Sequence, residues 1–154
     1  MALLVILILY LGIGVMSAVG SMAISKKLFS AKAEQIFFGV LLTPIAAFYL
    51  AFTAYFGSSD AWRLEAITVV IFAVLGTLGM RVTVVLLVGY ATHGVWDLLH
   101  ELHIHAVVGV YGTSRMSEIP LAYGVFCATY DWCMTGYFYT RRKQWNAAWK
   151  APAR

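Results

Sequence analysis

Charge is the scarcest commodity in this chain of 154 residues: Asp, Glu, Lys and Arg together make up 12% of it, against 62% hydrophobic residues. A soluble domain of this length carries about twice that share of charge and only about 45–50% apolar residues. So little charge excludes a disordered segment and a nucleic-acid-binding domain, and it argues against a typical cytosolic enzyme. Only two cysteines occur, Cys127 and Cys133, both inside one apolar stretch, so a disulfide framework is excluded as well. No Gly-rich phosphate loop is present, and the last two apolar stretches hold no serine at depth that a hydrolytic triad could use. The remaining class is an all-α, polytopic helix bundle in a lipid bilayer.

A spanning helix takes about 20 mostly apolar residues. Five blocks qualify by inspection, at about 2–24, 35–56, 64–80, 82–99 and 119–139. The first has no charge and no basic n-region, so it reads as a retained span rather than a signal peptide. The turn cluster 57–60 separates the second from the third. Gly76, Gly79, Met80 and Arg81 leave so little room before the fourth block that a tight hairpin is expected there. Residues 100–118 read as a loop, and Pro120 is expected in the first turn of the fifth span. The expected organisation is one five-helix domain over 1–140, followed by a basic tail over 141–154.

Lysine and arginine set the orientation. The first connection carries Lys26, Lys27 and Lys32, the third Arg81, and the tail Arg141, Arg142, Lys143, Lys150 and Arg154. The other side has only Arg63 and Arg115. With five spans the basic segments share one side, which puts the N-terminus out and the C-terminus in, across a cell (inner or plasma) membrane. Trp145 and Trp149 beside these cations suggest a tail lying along the inner headgroups.

Function is sought where ionisable groups fall within apolar blocks, since such groups are costly in lipid and face the bundle interior. All four histidines lie between residues 93 and 105. His93, Asp97 and His100, spaced i, i+4 and i+7, share a helix face about 60° wide. Glu101 stands one turn beyond Asp97, while His103 and His105 lie past the expected helix end. In the fifth block, Cys127, Asp131 and Thr135 form a second polar stripe, with Tyr130 beside it. Counting helical rise places His93 level with Cys127 and Asp131 about one turn deeper.

Imidazole and carboxylate together suit a transition metal such as Zn, Fe or Cu. His93, Asp97, His100 and Cys127 are the expected ligands, with Asp131 and Tyr130 as the catalytic groups acting on an apolar or lipid-like substrate. Four histidines are too few for a histidine-rich di-iron hydroxylase, and histidines confined to one span cannot place two axial ligands on a haem within one protomer. Two further readings stay open: a proton- or metal-ion-conducting carrier, and an accessory subunit of a larger membrane complex. The expected surroundings are the bilayer and either copies of the chain or a larger complex, with no nucleic acid.

Overall fold

The computed structural model describes residues 1–57, 59–104 and 116–151. The fold is all-helical. Five α-helices follow in order: α1 (Ala2–Leu28), α2 (Ala31–Phe56), α3 (Trp62–Gly79), α4 (Thr83–Ile104) and α5 (Tyr123–Lys150), with a 3₁₀ turn at Ser59–Ala61 ahead of α3. Three of them are long and apolar enough to cross a membrane: α1, α2, and α3 taken with its 3₁₀ turn. These mark a membrane protein. Helix α4 is more polar through His93, Asp97, His100, Glu101 and His103, and α5 through Asp131 and the basic run at its C-terminal end.

Local chemistry accounts for the ends of α2. The Ser30 hydroxyl accepts the Ala33 N–H at 3.3 Å, a helix cap immediately after α1 stops. At the other end Gly57 takes φ +70°, which glycine adopts without strain, and its N–H closes on Thr53 O. The connection between α3 and α4 is a tight hairpin: the chain turns at Met80 and Arg81, and Arg81 N–H returns to Leu78 O at 3.2 Å.

Cross-helix pairs define the direction of each helix. Gln35 reaches Gly79 O, Gly39 abuts Gly76 and Leu42 lies against Gly76, so α2 and α3 run antiparallel. Gly79 with Leu86, Leu75 with Gly89, Phe72 with His93 and Glu65 with His100 run α4 antiparallel to α3. Gly124 beside Asp97 and Thr83 bonded to Asn146 do the same for α5 against α4. Gly14 against Thr129, Ser21 with Tyr130 and Lys26 over Tyr137 show α1 running parallel to α5. Direction therefore alternates along all five helices. The α2–α3 crossing needs glycine: a Cβ at Gly39 would lie 2.7 Å from the Gly76 carbonyl oxygen and one at Gly76 2.4 Å from that of Gly39, so the backbones approach as small-residue membrane contacts do.

Several boundaries differ from the sequence reading: α1 runs on to Leu28 and α2 starts at Ala31, so most of the expected break over 25–34 is helical, and three more differences fall in α4 and α5. Helix α4 continues through His100 and Glu101 instead of ending before them. Helix α5 begins at Tyr123, not near Ile119, and Pro120 lies in the turn ahead of it. The cause is a long-range cap: Glu101 carboxylate oxygens accept the N–H groups of Ala122 at 3.1 Å and Gly124 at 3.0 Å. At its other end α5 runs on to Lys150, so residues 141–150 continue the helix.

That extension is docked onto the bundle. Buried Glu34 accepts hydrogen bonds from Arg141 Nε (2.9 Å) and Nη2 (2.6 Å), Trp145 Nε1 (2.8 Å), Ser25 Oγ (3.1 Å) and the Tyr137 hydroxyl. Trp145 is wholly buried against Phe138 rather than spread along a surface. Arg81 and Lys32 both lie over the Trp149 ring at 5.4 Å. The basic residues thus gather at one end of the bundle around a neutralising carboxylate.

Candidate metal centre beside an apolar cavity

Helix α4 presents one polar face. His93, Asp97, His100 and Glu101 are all buried on it, with at most 3% of their surface exposed. Gly94, on the flank toward α5, has Trp132 where a Cβ would stand, and Gly124 of α5 sits against the Asp97 carbonyl. These two contacts bring α4 and α5 close enough for their side chains to meet.

They meet at His93. Its Nδ1 lies 2.7 Å from Asp131 Oδ2 and 3.2 Å from Asp97 Oδ2. His93, Asp97 and Asp131 offer ligand atoms within 4.8 Å of one another, and all three are buried. The 2.7 Å contact is a hydrogen bond, whereas Asp97 Oδ2, at 3.2 Å, forms none. Asp97 Oδ1 accepts the hydroxyl of Tyr49 from α2. The opposite ring nitrogen, His93 Nε2, is buried with no partner. Phe72 meets the imidazole edge-on at 4.7 Å between centroids, fixing the ring from the α3 side.

His100 lies apart from this group. Its Nδ1 is 3.0 Å from the Trp96 carbonyl and its Nε2 is 2.9 Å from Glu65 Oε1. Both ring nitrogens of His100 are thus within hydrogen-bond distance of oxygens, and neither is turned to the His93 group. Ser117 N–H also donates to Glu65 Oε1 at 3.0 Å. Tyr49 connects the two groups: its ring stacks on His100 with centroids 4.1 Å apart, while its hydroxyl reaches Asp97.

A cavity of about 520 Å³ adjoins the cluster. Helix α2 supplies Ile45, Phe48 and Phe52, α5 supplies Phe126, and His93 and Asp131 reach its wall. Cys127 and Tyr130 line it too, outside the group of three, and the Tyr130 hydroxyl donates to Ser21 Oγ at 3.2 Å. Cys133 is partly buried and packs against the core. His103 is half-buried at the end of α4, and His105 lies outside the described residues.

The sequence-derived residues therefore divide. His93, Asp97 and Asp131 converge, Cys127 and Tyr130 stand at the adjoining cavity, and His100 pairs with Glu65. Asp131 lies level with His93, one helical turn from the expected register, because the residues ahead of Tyr123 are not helical and the count of rise began too early. Three contributors were not singled out. Tyr49 and Phe72 look like any aromatic in an apolar run, and Glu65 signalled itself only as an acid at a block edge.

Taken together, these features define a helical membrane protein with a buried His/Asp group able to hold a metal ion. Residues 8–144 match a family of unknown function (DUF6010), and the chain belongs to that family. The match takes in every residue of the cluster and its partners, and the family's description assigns no activity. Comparison with curated proteins and with solved structures finds no match.

Proposed function

We propose that this is a five-span protein of the inner or plasma membrane, N-terminus out and C-terminus in, that binds a transition metal ion through His93, Asp97 and Asp131. With that ion it acts on an apolar or lipid-like molecule held in the adjoining cavity. The alternating helix directions support five crossings, and the gathering of basic residues at one end supports the orientation. His93 stands ten residues into α4, about 15 Å from that basic end and so near the middle of a core about 30 Å thick.

One observation carries the metal reading: three ionisable groups are buried within 4.8 Å at a depth where each carboxylate is costly. An aspartate at the centre of a spanning helix costs about 2.5–3.5 kcal/mol on insertion scales. A divalent ion would offset two of them. One imidazole and two carboxylates suit zinc or iron better than copper, whose sites favour more nitrogen or sulfur. Such an ion supplies Lewis acidity and an activated water at neutral pH. The protein's part is to hold Asp97 through Tyr49, to orient His93 between Phe72 and the carboxylates, and to keep bulk water out. Tyr130, at the cavity wall, is placed to hydrogen-bond a substrate or carry a proton.

Elemental analysis of the purified protein tests this directly. Wild type should contain about one equivalent of zinc, iron or copper per chain, and His93→Ala should lose it. Absence of stoichiometric metal from wild type refutes the metal reading. A metal-free proton carrier is the second reading, favoured by the row Glu65, His100, Tyr49, Asp97, His93 and Asp131, which links two buried histidine–carboxylate pairs. It requires proton flux in vesicles that Asp97→Asn abolishes.

A further inference from the structure

The polar end of the cavity's occupant follows from how the cavity is walled and entered. Helices α1 and α2 are tied near their shared turn, where Ser25 Oγ donates to Glu34. Beyond it α1 packs on α5 and α2 chiefly on α3, and the cavity lies between them. Phe48, in its wall, is 50% exposed on that flank. In a bilayer this flank faces acyl chains, so a ligand enters sideways from the lipid. The volume of about 520 Å³ suits one small ligand or a single chain.

The head group is restricted by charge. No lysine or arginine lines the cavity among the described residues, while Asp131 stands in the wall with Asp97 3.2 Å from the same imidazole nitrogen. An anionic head would meet like charge in a medium of low dielectric. A cationic head would find both carboxylates already facing His93. Among the described wall residues, His93 carries a fully buried polar atom with no partner, Nε2.

What Nε2 can pair with depends on Nδ1. With a hydrogen on Nδ1 directed at Asp131, Nε2 is an acceptor. Were His93 to hold a metal ion through Nδ1, Nε2 would carry the hydrogen and be a donor. A hydroxyl serves both states. A carboxylate or phosphate serves only the second, and an ammonium only the first.

We propose that the cavity binds a single-chain lipid alcohol, its hydroxyl on His93 Nε2 and its chain along Phe48 and Phe52. This rests on the reading of the cavity as the substrate site and holds with or without bound metal.

The test uses purified full-length protein in nanodiscs, titrated with radiolabelled hexadecanol and then challenged with hexadecanol, hexadecanoate, hexadecylamine or hexadecane, with and without chelator. The expected result is saturable binding in which the alcohol displaces at least about tenfold better than the other three, chelator or not. Ile45→Trp, which fills the cavity from a side chain outside the cluster, should remove saturable binding while the protein keeps its unfolding temperature. His93→Gln should bring the alcohol within about twofold of the alkane. Equal displacement by the acid, the amine or the alkane overturns the proposal, as does saturable binding that survives Ile45→Trp. Protein isolated without metal that still prefers hexadecanol refutes the metal reading alone. Protein that holds metal but shows no saturable hexadecanol binding refutes this inference alone.

Discussion

Tyr49→Phe removes one oxygen atom from the structure and should weaken the metal centre out of proportion to its size. The Tyr49 ring is 1% exposed and stacks on His100 at 4.1 Å, and phenylalanine keeps that stack. What is lost is the hydroxyl that donates to Asp97 Oδ1. Asp97 Oδ2 has no hydrogen bond of its own, so the variant leaves that carboxylate facing only the His93 nitrogen 3.2 Å away. A hydrogen bond to a charged acceptor contributes about 1.5–3 kcal/mol. Loss of a partner that orients a metal ligand typically lowers metal affinity by about 10–100-fold, a similar free energy. The assay is competition for zinc or cobalt between detergent-solubilised protein and a chromophoric chelator, with thermal unfolding of the metal-free form measured alongside. Tyr55→Phe, at a ring that is 82% exposed, serves as the control and should change neither quantity. If Tyr49→Phe binds metal within about twofold of wild type and unfolds at the same temperature, Asp97 does not depend on Tyr49, and it is not held as a ligand by that hydroxyl.

Four other outcomes are expected. Glu34→Gln keeps the side-chain volume but breaks a partly buried ion pair with Arg141, which should cost about 1–3 kcal/mol and speed amide exchange over residues 140–150; unchanged exchange there would show that the end of α5 is not held by Glu34. Gly124→Ala places a Cβ 2.8 Å from that of Glu101 and against the Asp97 carbonyl, so it should destabilise by about 1–3 kcal/mol and weaken metal binding by shifting α5 on α4. Gly136→Ala, with nothing within 4 Å, should instead stabilise by up to about 1 kcal/mol in thermal unfolding, and a loss there would contradict the packing described. Glu65→Gln withdraws the carboxylate that pairs with His100 Nε2, and it should lower the unfolding temperature while leaving metal stoichiometry intact; loss of metal in this variant would move His100 into the ligand set.

Much of the bundle was legible because lipid imposes a simple rule: about 20 apolar residues make a helix, and cations collect at the ends. The five helices follow those blocks, and the hairpin at Met80–Arg81 follows from the absence of room for anything longer. The start of α5 was not legible. It depends on a carboxylate of α4, Glu101, reaching back to cap Ala122 and Gly124, more than 20 residues further along the chain. The same holds for Glu34, which reads as an interfacial charge and proves to be the buried hub of the basic end.

In the site, the polar face of α4 was legible from spacing, since His93, Asp97 and His100 are buried on one side as the helical period requires. Its division was not. His100 turns to Glu65, and His93 to Asp131, because the antiparallel register of α3, α4 and α5 decides which side chains stand at equal height. Helical periodicity within one segment contains no information about that register. The role of Tyr49 was hidden for another reason: an aromatic in an apolar run has the same sequence signature whether it faces lipid or donates to a buried carboxylate.

X-ray absorption of cobalt-loaded protein tests the central claim most directly, because it reports the atoms bound to the ion. The account predicts a first shell of nitrogen and oxygen only, with the outer-shell signature of a single imidazole, and loss of that signature in His93→Ala. A sulfur neighbour, which would implicate Cys127, or the signature of two imidazoles, which would implicate His100, would contradict it.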